Sequence, residues 1–129
     1  MPIGGEIVLT QKAEGGSIGA DLAVIQGTNA DQVKLPAAAG DRAKGITALK
    51  ADAAGKALPV IILGPAVGTA AAALSAGSFV KVADVTGQLQ AVGGEAASTL
   101  VEVVGIALTS ASAAGDTFDL AVVPFRYVA

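Results

Sequence analysis

Apolar and polar residues alternate along short stretches of this chain, and small or turn-forming residues separate the stretches. Leu58, Val60 and Ile62 lie two apart, which is the period of a β-strand with one buried face. Short alternating segments at regular spacing, broken by Gly, Pro, Asp and Asn, predict a β-sandwich or β-barrel. We therefore predict an all-β fold of about ten short strands. The predicted strands are residues 5–11, 21–26, 31–35, 43–49, 57–63, 65–70, 78–83, 88–92, 100–108 and 117–123.

The second half of the chain repeats the pattern of the first. The stretch GITALKADAAGKALPVIIL begins at Gly45, and GIALTSASAAGDTFDLAVV begins at Gly105. Each reads as a strand, an A-x-A-A-G turn and a second strand. Residues 18–36 resemble residues 76–94 in the same way, at an offset of 58 or 59. We interpret the chain as two pseudo-repeats, at about residues 6–63 and 64–124.

The pseudo-repeats are expected to form one domain that spans residues 1–129. Five short strands of mostly small residues make a poor independent core, so joining the halves buries more apolar surface. The chain is 53% apolar but only 3% aromatic, so its core must gain stability from many small contacts. Such a domain is a good candidate for further stabilisation by association.

Residues 69–77, TAAAALSAG, do not follow the strand pattern. Thr69 is a candidate N-cap, alanine has a high helix propensity, and Gly77 is a common helix stop. One short helix near residues 70–76 is therefore possible.

The uncharged stretch at residues 57–80 is long enough to cross a membrane, but it contains two prolines and three glycines. We expect no membrane helix there. We also expect no signal peptide, because the N-terminus lacks a basic start followed by a long apolar segment.

Charge and composition exclude several classes of function. The net charge is −3 and no run of Lys or Arg occurs, which argues against a nucleic-acid partner. The chain has no Cys and no His, so it lacks a thiol nucleophile, a Cys-based zinc site and the commonest general base. A Ser–Lys pair is one remaining route to a nucleophilic serine, and the lysines lie in polar or strand-edge contexts.

The acidic residues are scattered singly, and most of them lie in predicted turns. Such residues are typical of solvated turns whose carboxylates bind their own backbone. We therefore expect a protein that is not an enzyme and that binds no metal and no cofactor. A β-barrel enzyme that uses carboxylates is the least favoured alternative.

Two segments resemble the capsid cement, or decoration, proteins of tailed bacteriophages. These are AAAGDRAKGITALKADAAGKALPVIILG and VVGIALTSASAAGDTFDLAVVPF, and the resemblance covers about residues 18–124. It implies a β-rich protein on the outer surface of the virion capsid, made in the host cytoplasm. Its partner would be the major capsid protein, whose neighbouring subunits it would bridge to stabilise the shell. The resemblance also implies a homo-oligomer, with a trimer favoured, and no membrane partner.

The resemblance implies a capsid-binding arm at the N-terminus. Proline and paired glycines make the segment extended and adaptable, and an isoleucine in it could anchor the arm. An ordinary frayed terminus is an equally good interpretation. The candidate residues are Pro2, Ile3, Gly4, Gly5 and Glu6.

The C-terminal stretch VVPFRYVA supplies a second candidate binding surface. It places two aromatic residues beside an arginine, and aromatic residues and Arg are favoured at interface centres. We therefore predict that Phe125, Arg126 and Tyr127 contact a partner. The alternative is structural: Phe125 closes the end of the barrel and Tyr127 packs over it.

A binding module is the main alternative to the capsid protein. A surface β domain that binds a ligand or a glycan would show the same lack of catalytic residues. The two hypotheses differ in their partners, a protein shell in one and a small molecule or sugar in the other.

Overall fold

The computed structural model describes residues 6–129, and its regular elements in this range are all β-strands. The prediction of an all-β fold is confirmed, with nine strands where the sequence predicts about ten. The strands are β1 (Ile7–Ala13), β2 (Ala23–Gln26), β3 (Gln32–Lys34), β4 (Gly45–Thr47), β5 (Ala57–Thr69), β6 (Phe79–Val82), β7 (Leu89–Ala91), β8 (Leu100–Ala107) and β9 (Thr117–Val128).

The nine strands form one continuous sheet, in the order β1-β3-β2-β4-β5-β9-β8-β6-β7. An additional pairing between β1 and β5 closes the first five strands of this order into a barrel, here called the first barrel. The strands β5, β9, β8, β6 and β7 form a second ring. A parallel bridge between Ala70 and Leu89 joins its two ends, and this ring is here called the second barrel.

Strand β5 belongs to both barrels. Its first half pairs with β1 and β4, and its second half pairs with β9 from Gly64 to Thr69. The sequence predicts two strands here, at residues 57–63 and 65–70, because Gly64 and Pro65 usually interrupt a strand. The backbone instead continues through this point with Gly64 at a φ of 104°, which glycine adopts readily. The strand is therefore a single element 13 residues long.

The strand pairs of the two barrels correspond closely. Ile46 lies opposite Ile61 in the first barrel, and Ile106 lies opposite Ala121 in the second, an offset of 60 on both strands. In the preceding strands, Val24 pairs with Gly45 as Val80 pairs with Gly105. The offset of β2 to β6 is therefore 56, where the sequence comparison suggests 58 or 59. Gly45 lies 11 residues after Lys34 of β3, whereas Gly105 lies 15 residues after the matching Gln90 of β7 because β8 begins earlier at Leu100, and this accounts for the change of offset.

Each barrel encloses its own apolar core. The core of the first barrel is small and consists mainly of Ala, Val, Leu and Ile side chains. Its buried members are Ala13, Ile18, Val24, Val33, Ala51, Leu58 and Val60. The larger cluster fills the second barrel and also includes Ala23, Ile46 and Ile61, which belong to strands of the first. The two barrels are therefore packed against each other.

The short helix considered for residues 70–76 is absent, and that expectation is wrong. Ala70 is bridged to Leu89, and Leu74 is bridged to Ala111 in an antiparallel arrangement. The N–H and C=O groups of Leu74 and Ala111 bond to each other, so this backbone is satisfied by β-type contacts. A segment this short gains too little from helix propensity to overcome such pairing. Within residues 6–129, no helix is long and apolar enough to span a membrane.

Both A-x-A-A-G segments form tight turns at matching positions. Gly55 and Gly115 end the two segments with φ values of 82° and 88°, a left-handed conformation that favours glycine. The N–H of Gly115 donates to the carbonyl of Ala70, as the N–H of Gly55 donates to the carbonyl of Ala13. These turns therefore fix the register of the strands on both sides.

Candidate interaction surface

The end of β9 extends beyond β5 and pairs with β8 alone. The pairing runs from Leu100 opposite Val128 to Val103 opposite Phe125, and its register shifts between Val103 and Gly105. Phe125 and Tyr127 thereby lie opposite Val103 and Val101, whose side chains are buried. The two aromatic residues therefore share one face of this ribbon with two buried valines.

Three of the four aromatic side chains of the protein gather at this ribbon. The rings of Phe79 and Phe125 meet edge to face, with centroids 5.3 Å apart and planes at 83°. The rings of Phe125 and Tyr127 are 6.4 Å apart at 33°. Phe79 and Phe125 remain 44% and 39% exposed, so the cluster is only partly covered. The fourth aromatic residue, Phe118, is buried in the core.

Arg126 lies on the opposite face of the ribbon. Its Nη2 atom is 3.1 Å from Oε1 of Glu102, the residue directly across the strand pair. The Arg126 side chain is half exposed, whereas Glu102 is mostly covered. The guanidinium group is therefore held in place by one carboxylate and still has donors that face solvent.

The structure brings the three C-terminal candidates together on one ribbon, with Arg126 and the two aromatic residues on its two faces. The packing of Phe125 against Phe79 agrees with the structural alternative, while their exposure leaves a surface for a partner. Glu6 is partly exposed and lies immediately before β1. The other arm candidates, Pro2, Ile3, Gly4 and Gly5, lie outside the described residues.

Sequence reasoning missed Phe79 as a candidate. Alternation along β6 contains the necessary signal: Val80 and Val82 are fully buried, so Phe79 and Lys81 must face outward. An outward-facing phenylalanine in a chain this poor in aromatic residues marks a candidate contact surface.

A groove of about 420 Å³ lies between β1, the end of β4, β5 and β9. Val8, Leu49, Pro65 and Leu108 contribute apolar walls. Asp21 also lines the groove, and partial burial raises the pKa of its carboxyl group. The groove is therefore mainly aliphatic, with few polar groups that could orient a ligand.

The chain contains one Ser-x-x-Lys sequence, Ser78 to Lys81, at the start of β6. Side chains three apart in a strand point to opposite faces. The Lys81 ammonium group forms an ion pair with Glu95, and both side chains are largely covered. Lys81 is therefore bound to a carboxylate and is not positioned as a base for Ser78.

The acidic residues are similarly engaged in local contacts. The Oδ2 atom of Asp41 accepts bonds from two backbone N–H groups at 2.7 and 3.0 Å, and Asp116 does the same at 3.2 Å. Within residues 6–129, no three His, Cys, Asp or Glu residues are grouped so that they could hold a metal ion.

Comparisons with known proteins identify a fold relationship. The sequence matches no protein-family model, and it matches no curated protein sequence. The structure is similar to the crystal structure of the head fiber gp8.5 N base of bacteriophage phi29, with a TM-score of 0.65 and 18% sequence identity. The match covers 92% of this chain and 94% of the phi29 chain. The chain therefore has the fold of that head fiber base along nearly the whole length of both.

Proposed function

We propose that this protein is a structural component of a bacteriophage head. The observation that carries the proposal is the fold shared with the phi29 head fiber base over 92% of this chain. The sequence resemblance to capsid cement proteins supports the same role independently. The shared fold and the sequence resemblance therefore both favour a protein associated with a phage head.

In this role the protein binds the outer surface of the capsid and bridges neighbouring major capsid protein subunits, which stabilises the shell. Such a role requires a rigid scaffold and no chemistry. We accordingly propose that the protein is not an enzyme. The engaged carboxylates and the paired Lys81 support this view, since each meets a structural partner.

The surface proposed for capsid contact is the β8–β9 ribbon with Phe125, Arg126 and Tyr127. The aromatic rings on one face of the ribbon and the half-exposed guanidinium group on the other are residue types favoured at interface centres. Residues 2–6 are proposed as a second attachment point. A homotrimer would present several copies of these surfaces at once, and modest contacts repeated in this way gain avidity.

We also propose that the chain arose by duplication of one unit, represented by residues 6–63 and 64–124, within a single domain. The corresponding strand pairs and the corresponding A-x-A-A-G turns support this origin. Strand β5 joins the two units, with residues 57–63 in the first barrel and residues 64–69 in the second.

Cosedimentation with phage heads that lack their decoration proteins tests the proposal. The protein is expected to pellet with the heads and to saturate at a fixed number of copies per capsid. Arg126→Ala is expected to weaken this binding about tenfold or more, as for an interface-centre arginine. The exposed Lys50→Ala is the control and should bind like the wild type. Absence of wild-type cosedimentation with any head tested would refute the proposal.

Ligand binding is a second candidate function, because the groove between the barrels provides a concave apolar site. Its aliphatic lining offers no aromatic platform for a sugar ring. A glycan array and a calorimetric screen of small apolar ligands test this candidate. Specific binding that Leu49→Lys abolishes would favour it over the capsid role.

A further inference from the structure

The groove between the two barrels has its floor on the shared strand β5. Ile61, Pro65 and Val67 line the groove, so its floor continues from the first barrel into the second. Val8 of β1 lies opposite Ile61. Asp119 of β9 lies opposite Val67. Paired residues of neighbouring strands present their side chains on the same face of a sheet, so the floor is aliphatic in the first barrel and carries a carboxyl group in the second.

Asp21 lies where the two barrels meet. Its N–H group donates to the carbonyl of Thr47 at 2.8 Å, and its carbonyl accepts a hydrogen bond from Oγ1 of Thr69 at 3.0 Å. The φ of Asp21 is 62°, in the left-handed region that few residues other than glycine adopt. Residues held in such conformations cluster at binding sites. Bonds to β4 and to the end of β5 therefore position Asp21 at the groove that it lines.

The groove carries negative charge without a basic side chain. Asp21 and Asp119 line it, and none of its described lining residues is a Lys or an Arg. Within residues 6–129, the ion pairs include neither of these two carboxyl groups. Burial raises the pKa of the Asp21 carboxyl group, because the charged form loses hydration there. A cation that enters the groove therefore meets a carboxyl group that no Lys or Arg side chain of this range neutralises.

The aliphatic walls of the groove are open to solvent. Val8, Leu49 and Leu108 are 40%, 64% and 54% exposed. Covering such side chains with an apolar segment is favourable. Lysine and arginine combine an aliphatic stem, which they bury along apolar surface, with a charged tip. A basic side chain thus matches both the walls and the carboxyl groups of this groove.

We propose that the groove binds a basic side chain presented by a partner protein. The aliphatic stem lies against Val8, Leu49 and Leu108, and the charged tip pairs with Asp21. Asp119, in the second barrel, adds to the attraction. This inference rests on the groove being a binding site, which is the second candidate function above, and it names the chemistry of the occupant. The β8–β9 ribbon proposed for capsid contact is a different surface.

Two-dimensional amide NMR spectra test the proposal with a pair of blocked tripeptides. Ac-Ala-Lys-Ala-NH2 presents a basic side chain, and Ac-Ala-Nle-Ala-NH2 presents the same aliphatic stem, as norleucine, without the ammonium group. The lysine peptide is expected to bind with a Kd on the order of 1–10 mM, as suits a single side chain, and to shift the amide signals of Val67 and Leu108. The norleucine peptide is expected to bind at least about fivefold more weakly, because it forms no ion pair.

Asp21→Asn removes the charge, and asparagine also adopts the left-handed conformation, so the backbone is retained. This variant should bind the lysine peptide about fivefold more weakly than the wild type does, at the level of the norleucine peptide. Asp31→Asn is the matched control, because it removes the same charge from an exposed site outside the groove and should bind like the wild type. Far-ultraviolet circular dichroism identifies any variant that fails to fold.

Equal binding of the two peptides to the wild type would overturn the inference but leave the groove as an apolar binding site. Binding of neither peptide would also overturn it, and the screen of apolar ligands then decides the second candidate function. An equal loss of affinity in Asp31→Asn would show attraction to the net negative charge instead of to the groove. Binding that appears only in a variant without residues 1–5 would show that the chain's own N-terminal segment fills the groove, which contradicts the inference.

Discussion

Two glycines mark places where neighbouring strands approach too closely for a side chain. A Cβ atom on Gly45 would overlap the carbonyl oxygen of Ile61, and one on Gly105 would overlap that of Ala121. Both glycines are buried in the first and second barrels at matching positions. Because the obstructing atoms belong to the backbone of an adjacent strand, no side-chain rotation can relieve the overlap.

Gly105→Ala is expected to destabilise the protein by about 1–3 kcal/mol, the usual cost of forcing extra volume into a packed interior. Urea unfolding followed by circular dichroism measures the change. Gly19→Ala is the control, since its Cβ atom would meet only the end of the Leu22 side chain at 3.2 Å. Equal stability of the two variants would contradict the close approach at Gly105.

The carboxyl groups of Glu95 and Asp21 have pKa values shifted in opposite directions. A hydrogen bond from the Lys81 ammonium group, aided by the Gly93 N–H, lowers the pKa of Glu95. Burial raises the pKa of Asp21. Glu95 therefore stabilises the fold above its unfolded-state pKa, and this contribution is lost as the pH falls through its folded-state pKa. Asp21 has the opposite effect, because the fold favours its protonated form.

Glu95→Gln is therefore expected to lower stability at neutral pH, and its difference from the wild type should shrink as the pH falls toward about 3. Asp21→Asn is expected to raise stability at neutral pH, with a gain that also disappears on acidification. Urea midpoints at several pH values measure both effects. A Glu95→Gln deficit that stays constant with pH would show that the ion pair is not its cause.

At the scale of elements, Thr47 connects β4 to the segment that precedes β2. Its Oγ1 atom donates to the Gly19 carbonyl at 2.8 Å and accepts from the Leu22 N–H at 3.1 Å. The Thr47 side chain is fully buried, so the Gly19 carbonyl and the Leu22 N–H group depend on its hydroxyl group for a hydrogen bond. The matching residue in the second barrel is Ala107, which makes no such side-chain bonds.

Thr47→Val keeps the shape of the side chain but is expected to cost about 1–3 kcal/mol, because buried polar groups are left unsatisfied. Thr47→Ser retains the hydroxyl group and should cost less than Thr47→Val. Thermal unfolding of both variants measures the difference. If the serine variant were the less stable of the two, packing of the methyl group would outweigh these hydrogen bonds.

The sequence predicted most strands and both repeated turns because their signals are local. Alternation at Leu58 and Val60 identifies a buried strand face, and the glycine that ends each A-x-A-A-G segment identifies a turn. The prediction of a helix near residues 70–76 is wrong because this segment instead pairs with residues that are distant in the sequence. Leu74 pairs with Ala111, which is distant in the sequence, and no sequence pattern around Leu74 indicates this partner.

The candidate surface was predictable only in part for the same reason. A concentration of aromatic residues and arginine indicates Phe125, Arg126 and Tyr127 directly. The contact of Phe125 with Phe79 depends on the pairing of β6 with β8 and of β8 with β9, which local patterns do not specify.

At the scale of the whole molecule, the shared strand β5 couples the two cores. Its residues Leu58 and Val60 fill the first core, while Ala66 belongs to the second. Unfolding of either barrel therefore removes strand contacts that stabilise β5 and, through β5, the other barrel. The protein is expected to unfold in one cooperative transition, although it encloses two separate apolar clusters.

Leu58→Ala in the first core and Leu120→Ala in the second are each expected to destabilise the protein by about 2–5 kcal/mol. Both should shift the same single transition in differential scanning calorimetry, with equal calorimetric and van't Hoff enthalpies. Two resolved transitions, one sensitive to each substitution, would show that the barrels unfold independently.

The position of β5 also determines how the molecule resists a mechanical load. Strands β1 and β9, near the two ends of the chain, both run antiparallel to β5 and pair with its successive halves. The hydrogen bonds of such ladders lie across the strand direction, so a pull along the strands shears many of them at once instead of opening them one by one. A load directed along β5 thus acts on the hydrogen bonds of both ladders.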